Sequence, residues 1–542
     1  MTTDAVYGGL PGSEGRELWS LREDVSVEAD PDGLIRLRNR WGVITIQRAT
    51  SVVEDALRRM SLGPISLRNV AGNGRSPGAG QHPEAKAGAG SLYQALEGVQ
   101  SLVVRSLALE SGRALLSVVP LTPSSKFHPV PLSPQLPVRL SRFVQMRTDG
   151  TEYRLESATA RHRVLLHRPE ALWLIGSLAR ATTVTACVDA LPRQTPAMIA
   201  ATLSYLWAAG MLAGAEDEQD QEKPSFAEDG DAALTGWSAV DLMFHTRSTL
   251  GRHDDDIGAT FPLERSPEPV VKPAVGGAVI PLYRPSWDDL LANDAPLTVA
   301  IEGRSSVRDY AAAPPTAAEL GELLYRAARV RSVSNFATPG GRVVATEPPD
   351  GAGAERSDRP YPSGGACHEL ELYVTVGECD GLETDVYHYD PLKHVLEPLN
   401  VDRRVAEKLL RCASKMANTA SLPPLLITIT ARIGRLSWKY EGLVYSLVLK
   451  HVGVLTQNLY LVSTAMRLGA CALGSANIDL TARAFGVDWR VEPTVGQFIV
   501  GRLPADHASR SASPQPANDA WWADTAAEWF RGTERKCLAI DR

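Results

Sequence analysis

No stretch of the 542 residues is apolar enough to read as a lipid span. The longest candidate, from Leu443 to Ala470, is interrupted by Lys450, His451, Gln457, Asn458 and Arg467 and is too polar. The N-terminus, MTTDAVYGGLPGSEG, has neither the basic start nor the apolar core of a secretory signal. Cysteine is scarce: six residues, scattered, with no CxxC pair and no His/Cys cluster at zinc spacing. That excludes a disulfide framework and the common zinc modules. Positive charge is not in excess either, with 56 Lys+Arg against 63 Asp+Glu and a net charge of −7. A protein that grips nucleic-acid phosphates needs a clustered positive surface, so that class is disfavoured. The expectation is a soluble, reduced, cytoplasmic chain with no membrane and no nucleic-acid partner.

What is present is core material. Hydrophobic residues make up 44% and charged residues 22%, which rules out wholesale disorder. At about 150 residues per domain, the length predicts two to four domains. Residues 71–91, rich in Gly, Ala and Pro, predict a mobile loop. The acidic run at 216–230 predicts a solvated linker, and SPEPVVKPAVGG at 266–277 closes the junction.

The N-terminal half repeats one order of elements. DGLIRLRNRWGVITIQ reads as paired strands, followed by the helices SVVEDALRRM and SLYQALEGVQ. TEYRLESATARHRVLLH, EALWLIGSLARA and TPAMIAATLSYLWAAGMLAG follow in the same order. This predicts a flexible N-terminus over 1–16 and two tandem winged-helix-like modules over 17–125 and 134–215. A linker and lead-in over 216–280 precede a domain over 281–505, and 506–542 form a spacer and Trp-rich tail. Neither module carries a dense Lys/Arg run on its last helix. A strand-edge groove for an extended peptide therefore fits better than DNA binding.

The chemistry-bearing patterns lie in the C-terminal half. Thr316 and Glu319 form a T-x-x-E capping box after Pro314–Pro315. That places Arg304, Ser305, Ser306 and Arg308, in IEGRSSVRDY, at a helix end or loop. Guanidinium and hydroxyl groups so close together suit a phosphate monoester and polyol hydroxyls, although a plain polar surface has the same composition. In RPYPSGGACHELE the prolines restrict φ, and Gly364–Gly365 let the backbone approach a flat ligand. Its N–H groups could bond a heterocycle's edge; a tight turn before a strand is the bland alternative. The pair Lys439–Tyr440, in WKY, stands at the start of a long helical pattern and could serve proton transfer. In VGRL, Arg502 ends an apolar strand where it could reach a phosphate. His245, His253, His388 and His451 have no metal-ligand spacing and read as structural.

In combination, GRSSVR, RPYPSGGA, DVYHYDPLKHVLEPL, WKY, GVLTQNLYLVSTAMRLGACALG and VGR resemble the flavin nitroreductase superfamily. Within it they resemble the SagB-type dehydrogenases, the azoline oxidases of thiazole/oxazole-modified peptide biosynthesis. The segment WSAVDLMFHTRSTLGR at 237–252 is similar to that family's lead-in, so the likeness spans roughly residues 237–505. The resemblance implies an α+β fold, a mixed sheet flanked by helices holding FMN, in an enzyme working as a homodimer. It implies oxidation of thiazoline or oxazoline rings in a precursor peptide, with hydride passing to the flavin and O2 as reoxidant. A cyclodehydratase complex is an implied partner.

Residue by residue, the resemblance assigns Arg304, Ser305, Ser306, Arg308 and Arg502 to flavin phosphate and ribityl contacts. Pro362, Ser363, Gly364 and Gly365 match the turn against the isoalloxazine, and Gln457, Gly474 and Ser475 match further flavin contacts. Lys439 and Tyr440 match the catalytic pair, with the base undecided between them. Two departures stand out: Arg304–Ser305–Ser306 replaces an Arg-Arg-Ser, and His368–Glu369 replaces a Tyr-Pro. The alternatives are a nicotinamide-dependent flavin reductase of the same fold, or a peptide-docking scaffold whose flavin site has decayed.

Overall fold

A computed structural model describes residues 17–71, 83–109, 112–192, 194–217, 223–263, 267–274, 276–335 and 355–504. The expected flexible N-terminus and the Trp-rich tail lie outside these residues. Contacts divide the chain into two units, one ending at Asp255 and the next beginning at Asp256.

In the first unit a three-strand meander, Ser26–Ala29, Ile35–Asn39 and Gly42–Ile46, leads into helices Ser51–Leu62, Arg68–Ala71 and Pro83–Gly98. The order recurs as Val144–Asp149, Glu152–Ser157 and His162–Leu166, then helices Pro169–Ser177, Val184–Ala190 and Pro196–Ala208. One antiparallel sheet includes strands from both halves of the repeat, in the order Glu17–Leu21, Val103–Ala108, Ala114–Pro120, His162–Leu166, Glu152–Ser157 and Val144–Asp149. The two halves thus share a sheet instead of standing apart. Asp254, 4% exposed, accepts hydrogen bonds from Arg22 at 3.0 Å and from both terminal nitrogens of Arg163 at 2.8 and 3.0 Å.

Two expectations from composition are corrected here. Residues 83–91 are not loop but the first half of helix Pro83–Gly98. Pro at the first helical position, with Glu84, Lys86 and three alanines at 85, 87 and 89, outweighs the glycines. The acidic run is not solvated throughout. Glu228 and Asp229, in the short helix Ala227–Gly230, are held by Arg139 at 3.0 and 2.7 Å, and Glu228 also accepts from Ser141 at 2.6 Å.

The second unit is α+β. Its seven-stranded sheet runs Ile280–Pro281, Val395–Pro398, Val386–Asp390, Leu370–Val376, Leu425–Ala431, Thr494–Arg502, Leu468–Leu473. Every neighbouring pair is antiparallel rather than mixed. Hairpins, not crossover helices, join the three strands between Leu370 and Pro398, which fixes their direction. Helix Val444–Ala465 covers one face, burying Val448, Leu455 and Leu459 against Ile427, Ile429 and Phe498. Helix Arg403–Ala417 covers the other, burying Leu409 and Leu410 against Tyr373, Leu426 and Ile499. The alternation of Leu426, Ile427 and Ile499 between the two clusters is the two-residue period of a strand. Covered on both faces, Leu425–Ala431 can be apolar almost throughout.

Charge is also buried in this sheet. His388 lies between Glu397, 3.0 Å from Nδ1, and Glu371, 3.2 Å from Nε2. Arg432 Nε is 2.8 Å from Glu371, close enough for an ion pair but without the alignment of a hydrogen bond. Burial opposes the charge on Glu371, but Arg432 and then His388 outweigh it and hold the carboxyl down to about 2. A folded value below the ordinary 4.5 means the stability Glu371 adds is present above pH 4.5 and lost as pH falls toward 2. Glu371→Gln is therefore expected to lower stability by about 3–5 kcal/mol at neutral pH. The gap to the parent should shrink progressively below pH 4.5, as read by denaturant unfolding across pH.

Candidate functional site

The sequence RPYPSGGACHELE forms a tight turn at the head of strand Leu370–Val376. Gly365, Ala366 and His368 all have left-handed φ values, of 60°, 54° and 45°. Only at Gly365 does a close approach require the missing side chain. A Cβ there would lie 2.5 Å from Lys439 Nζ and 2.9 Å from Tyr440 Oη. The glycine turn and the Lys–Tyr pair, 74 residues apart in sequence, therefore meet at one point.

The pair is not at the start of the long helix, as its sequence pattern suggests. It follows the short helix Gly434–Ser437, and helix Val444–Ala465 begins four residues after Tyr440. Gly442, at φ 73°, breaks the run between them. Arg435, in the short helix, is wholly buried and donates to the carbonyl of Cys367 from Nε and Nη2 at 3.0 and 2.7 Å. It also donates to the carbonyls of Glu268 and Glu355 at 2.6 and 3.0 Å. Burial pushes the Tyr440 phenol above its ordinary value, and the nearby Cys367 thiol adds to this. Burial likewise raises the thiol of Cys367.

The turn uses most of its own N–H groups. Gly364 donates to His451 Nε2 at 2.8 Å, Ala366 to the Ser363 carbonyl at 3.0 Å, and Cys367 to the Gly364 carbonyl at 3.3 Å. His368 donates to Ser363 Oγ at 3.0 Å. The Ser363 and Gly365 N–H groups have no partner among the described residues. Beside Pro362 and Ser363 opens a cavity of about 590 Å³, floored by His368 and walled by Ser332, Ser334, Arg356 and Asp358. These four belong to a two-stranded ribbon in which Ser332 faces Asp358 and Ser334 faces Arg356.

The other expected residues form a second group. Arg304 caps helix Leu297–Gly303, and its guanidinium lies 5.1 Å over the Tyr460 ring. Ser306 Oγ is 3.0 Å from Tyr460 Oη, which accepts from the Ala472 amide at 2.7 Å. Val307 then pairs with Ala470, and Ala311 with the carbonyl of Arg502. Ser305 is half-buried and Arg308 exposed in the same segment. Arg502 donates to Glu319 Oε2 at 2.9 Å, and Glu319 completes the expected capping box with Thr316. Gly474 and Ser475 follow strand Leu468–Leu473 and are exposed, as is Gln457 on the long helix. The set of guanidinium and hydroxyl donors at 304–308 fits a phosphate monoester.

Sequence reasoning missed His451, Glu369 and Arg435 as parts of the site. The available signal was His451 itself, a polar residue four positions after Leu447. Both touch Gly364, at 3.5 and 3.4 Å from where its Cβ would be.

An α+β unit with this donor segment, glycine turn and Lys–Tyr pair is an oxidoreductase. The chain belongs to the nitroreductase family, whose match covers residues 301–502. The Methanocaldococcus jannaschii protein MJ1384, classed as a nitroreductase, is 30% identical over 172 residues, 32% of this chain and 75% of its own length. Residues 138–254 match the cyanobactin oxidase ThcOx family. The trifolitoxin-processing protein TfxB of Rhizobium leguminosarum bv. trifolii is 27% identical over 188 residues, 34% of this chain. The chain spans 46% of the length of TfxB. A solved nitroreductase-type structure from Ralstonia eutropha is 22% identical, covering 46% of this chain and 99% of its own, at a TM-score of 0.32. The McbBCD microcin synthetase complex of E. coli, solved with truncated pro-MccB17, is 20% identical over 37% of this chain and 69% of its own, at 0.29.

Gly365→Ala puts a methyl against both side chains at a left-handed φ. It is expected to destabilise the protein by about 1–3 kcal/mol in denaturant unfolding. Gly474→Ala, with nothing within 4 Å of the new Cβ, should leave the midpoint unchanged.

Proposed function

We propose that this chain is an FMN-dependent dehydrogenase of the SagB type, oxidising thiazoline or oxazoline rings in a ribosomally made precursor peptide to thiazoles or oxazoles. The observation that carries the reading is the approach of Lys439 Nζ and Tyr440 Oη to within 2.5 and 2.9 Å of where a Cβ of Gly365 would stand. Support comes from the matches to a family named for cyanobactin oxidation and to a protein named for trifolitoxin processing.

Forming the aromatic ring removes a proton and a hydride from adjacent ring carbons. Arg304, Ser305, Ser306, Arg308 and Arg502 would hold the phosphate and ribityl chain of FMN, which would supply the hydride acceptor, with O2 as the final oxidant. Pro362, Ser363, Gly364 and Gly365 would present a flat backbone wall to the cofactor, and Gln457, Gly474 and Ser475 would supply its further contacts. Lys439 and Tyr440 handle the proton. Burial keeps Tyr440 a neutral phenol at rest, so it meets the substrate as a hydrogen-bond donor before any transfer. The cavity beside Pro362 and Ser363 gives the ring-bearing peptide an approach. The first unit takes up the rest of that peptide through its winged-helix-like modules. The enzyme works in the cytoplasm as a homodimer, for which Tyr445 and Leu449, exposed one turn apart on one helix, offer an apolar patch, and alongside a cyclodehydratase.

Incubating the protein, FMN and air with azoline-bearing peptides should give a loss of about 2 Da per ring in mass spectrometry. No loss across several such peptides with a flavin-loaded protein would sink the reading. Turnover of NADPH with a nitroaromatic instead would assign a flavin reductase. Lys439→Ala with Tyr440→Phe should slow azoline oxidation by about 10²–10⁴-fold while the flavin stays bound.

A further inference from the structure

Beneath the glycine turn lies a pair of residues that the proposed chemistry does not use. Glu369 is 0% exposed and His451 6%, and His451 Nδ1 is 2.7 Å from Glu369 Oε1. The Gly364 N–H donates into His451 Nε2 at 2.8 Å, so that nitrogen carries a lone pair. The ring hydrogen is therefore on Nδ1 and is donated to Glu369. The second carboxylate oxygen accepts from Ser363 Oγ at 3.4 Å, and the same Oγ accepts from the His368 amide at 3.0 Å. One carboxylate thus braces the turn at residue 363 directly and at residue 364 through an imidazole.

Burying a carboxylate is costly unless its partners are in place, and an apolar residue would fill the space with less penalty. The arrangement is explained by what lies one residue further on. At Gly365 a Cβ would lie 2.5 Å from Lys439 Nζ and 2.9 Å from Tyr440 Oη, so a methyl group there would displace the ends of both side chains. A shift of Gly364 would move its neighbour Gly365 relative to the pair. Imidazole and carboxylate form a rigid spacer of fixed tautomer between the long helix and the turn. Glu369 is also one of the two positions at which the turn departs from the Tyr-Pro of the resembled family.

We infer that Glu369 and His451 are positioning residues that set the Gly364–Gly365 turn against Lys439 and Tyr440. The inference rests on the reading of that pair as the proton-handling groups. It is separable from that reading because the position of Lys439 can be measured without turnover.

The test uses the full-length, FMN-loaded protein and the double variant His451→Phe with Glu369→Leu, which removes the imidazole and the buried charge together. Lys439 is acylated with a water-soluble amine-reactive ester and its rate mapped by peptide mass spectrometry, beside kcat and KM for an azoline peptide. With the spacer gone, the Lys439 acylation rate should rise about tenfold, and kcat should fall about 10–100-fold with KM unchanged. His451→Gln, whose carbonyl can still accept from Gly364, should recover part of both changes. Parental acylation and parental kcat in the double variant would overturn the inference. So would a raised acylation rate with kcat unchanged. If the parent itself oxidises no azoline, the functional reading fails and the acylation rate alone decides. Should the double variant not fold, Glu369→Gln serves, with a twofold to threefold rise in Lys439 acylation expected and a parental rate against it.

Discussion

Arg435 is the cation on which the site is hung. It is wholly buried, and its partners are carbonyl oxygens: Cys367 at the glycine turn, Glu355 at the ribbon and Glu268 in the segment entering the unit. Burial lowers its pKa to about 10, which still leaves it charged at neutral pH. A guanidinium presents five N–H donors in a fixed plane, so it can solvate itself on several carbonyls only if they converge. Convergence is what the site needs. The Arg435 carbonyl in turn accepts from the Trp438 indole at 3.0 Å, and Lys439 and Tyr440 follow directly. One buried charge thereby fixes the turn, the ribbon and the residues that face Gly365.

The same device is used nearby. Arg432 and Arg359 are buried and donate to the carbonyls of Pro269 and Val270 at 2.7–3.2 Å. Three of the buried carboxylates in the second unit have histidine partners: Glu369 has His451, and Glu371 and Glu397 share His388. An imidazole between two elements holds distance and direction at once, since its two nitrogens lie on opposite sides of a flat ring. These interior polar groups cost desolvation that only good geometry offsets, so each constrains the elements it joins. Apolar packing of Ile427, Ile429, Leu455 and Phe498 supplies the cohesion. The polar contacts supply the placement.

What could be read from the chain is what depends on near neighbours. The Thr316–Glu319 capping box is a four-residue pattern, and both of its reciprocal hydrogen bonds form. The glycine turn and the strand after it follow from Pro362, Gly364 and the apolar run from Leu370. Contacts that span long separations left no such mark. Arg435 meets Cys367 across 68 residues and Glu268 across 167, and His451 meets Glu369 across 82. An isolated Arg or His in sequence carries no sign of its distant partner. Composition misled where propensity and packing disagreed with it, in the Ala-rich start of helix Pro83–Gly98 and in the docked acidic residues Glu228 and Asp229.

The segment that composition marks as a linker shows the same limit most sharply. Gly258 and Glu441 exchange backbone hydrogen bonds at 3.1 and 2.9 Å, and Phe261 donates to the carbonyl of Lys439 at 3.1 Å. Thr260 donates to the Glu441 carboxylate at 2.8 Å, and the Phe261 ring packs on Trp438 with centroids 5.4 Å apart. Residues 258–261 therefore lie against the backbone of Lys439–Glu441 through one isolated antiparallel bridge and the Phe261 hydrogen bond. Without them the carbonyl of Lys439 and both backbone groups of Glu441 would lose their partners, and a backbone polar group left unpaired is costly when buried. Gly442 is part of this fit, since a Cβ there would lie 2.9 Å from the Asp256 carbonyl. A flexible tether would need none of these contacts. Residues after Asp256 are thus held to the second unit by contacts with the Lys439–Gly442 segment, although that unit's sheet begins only at Ile280.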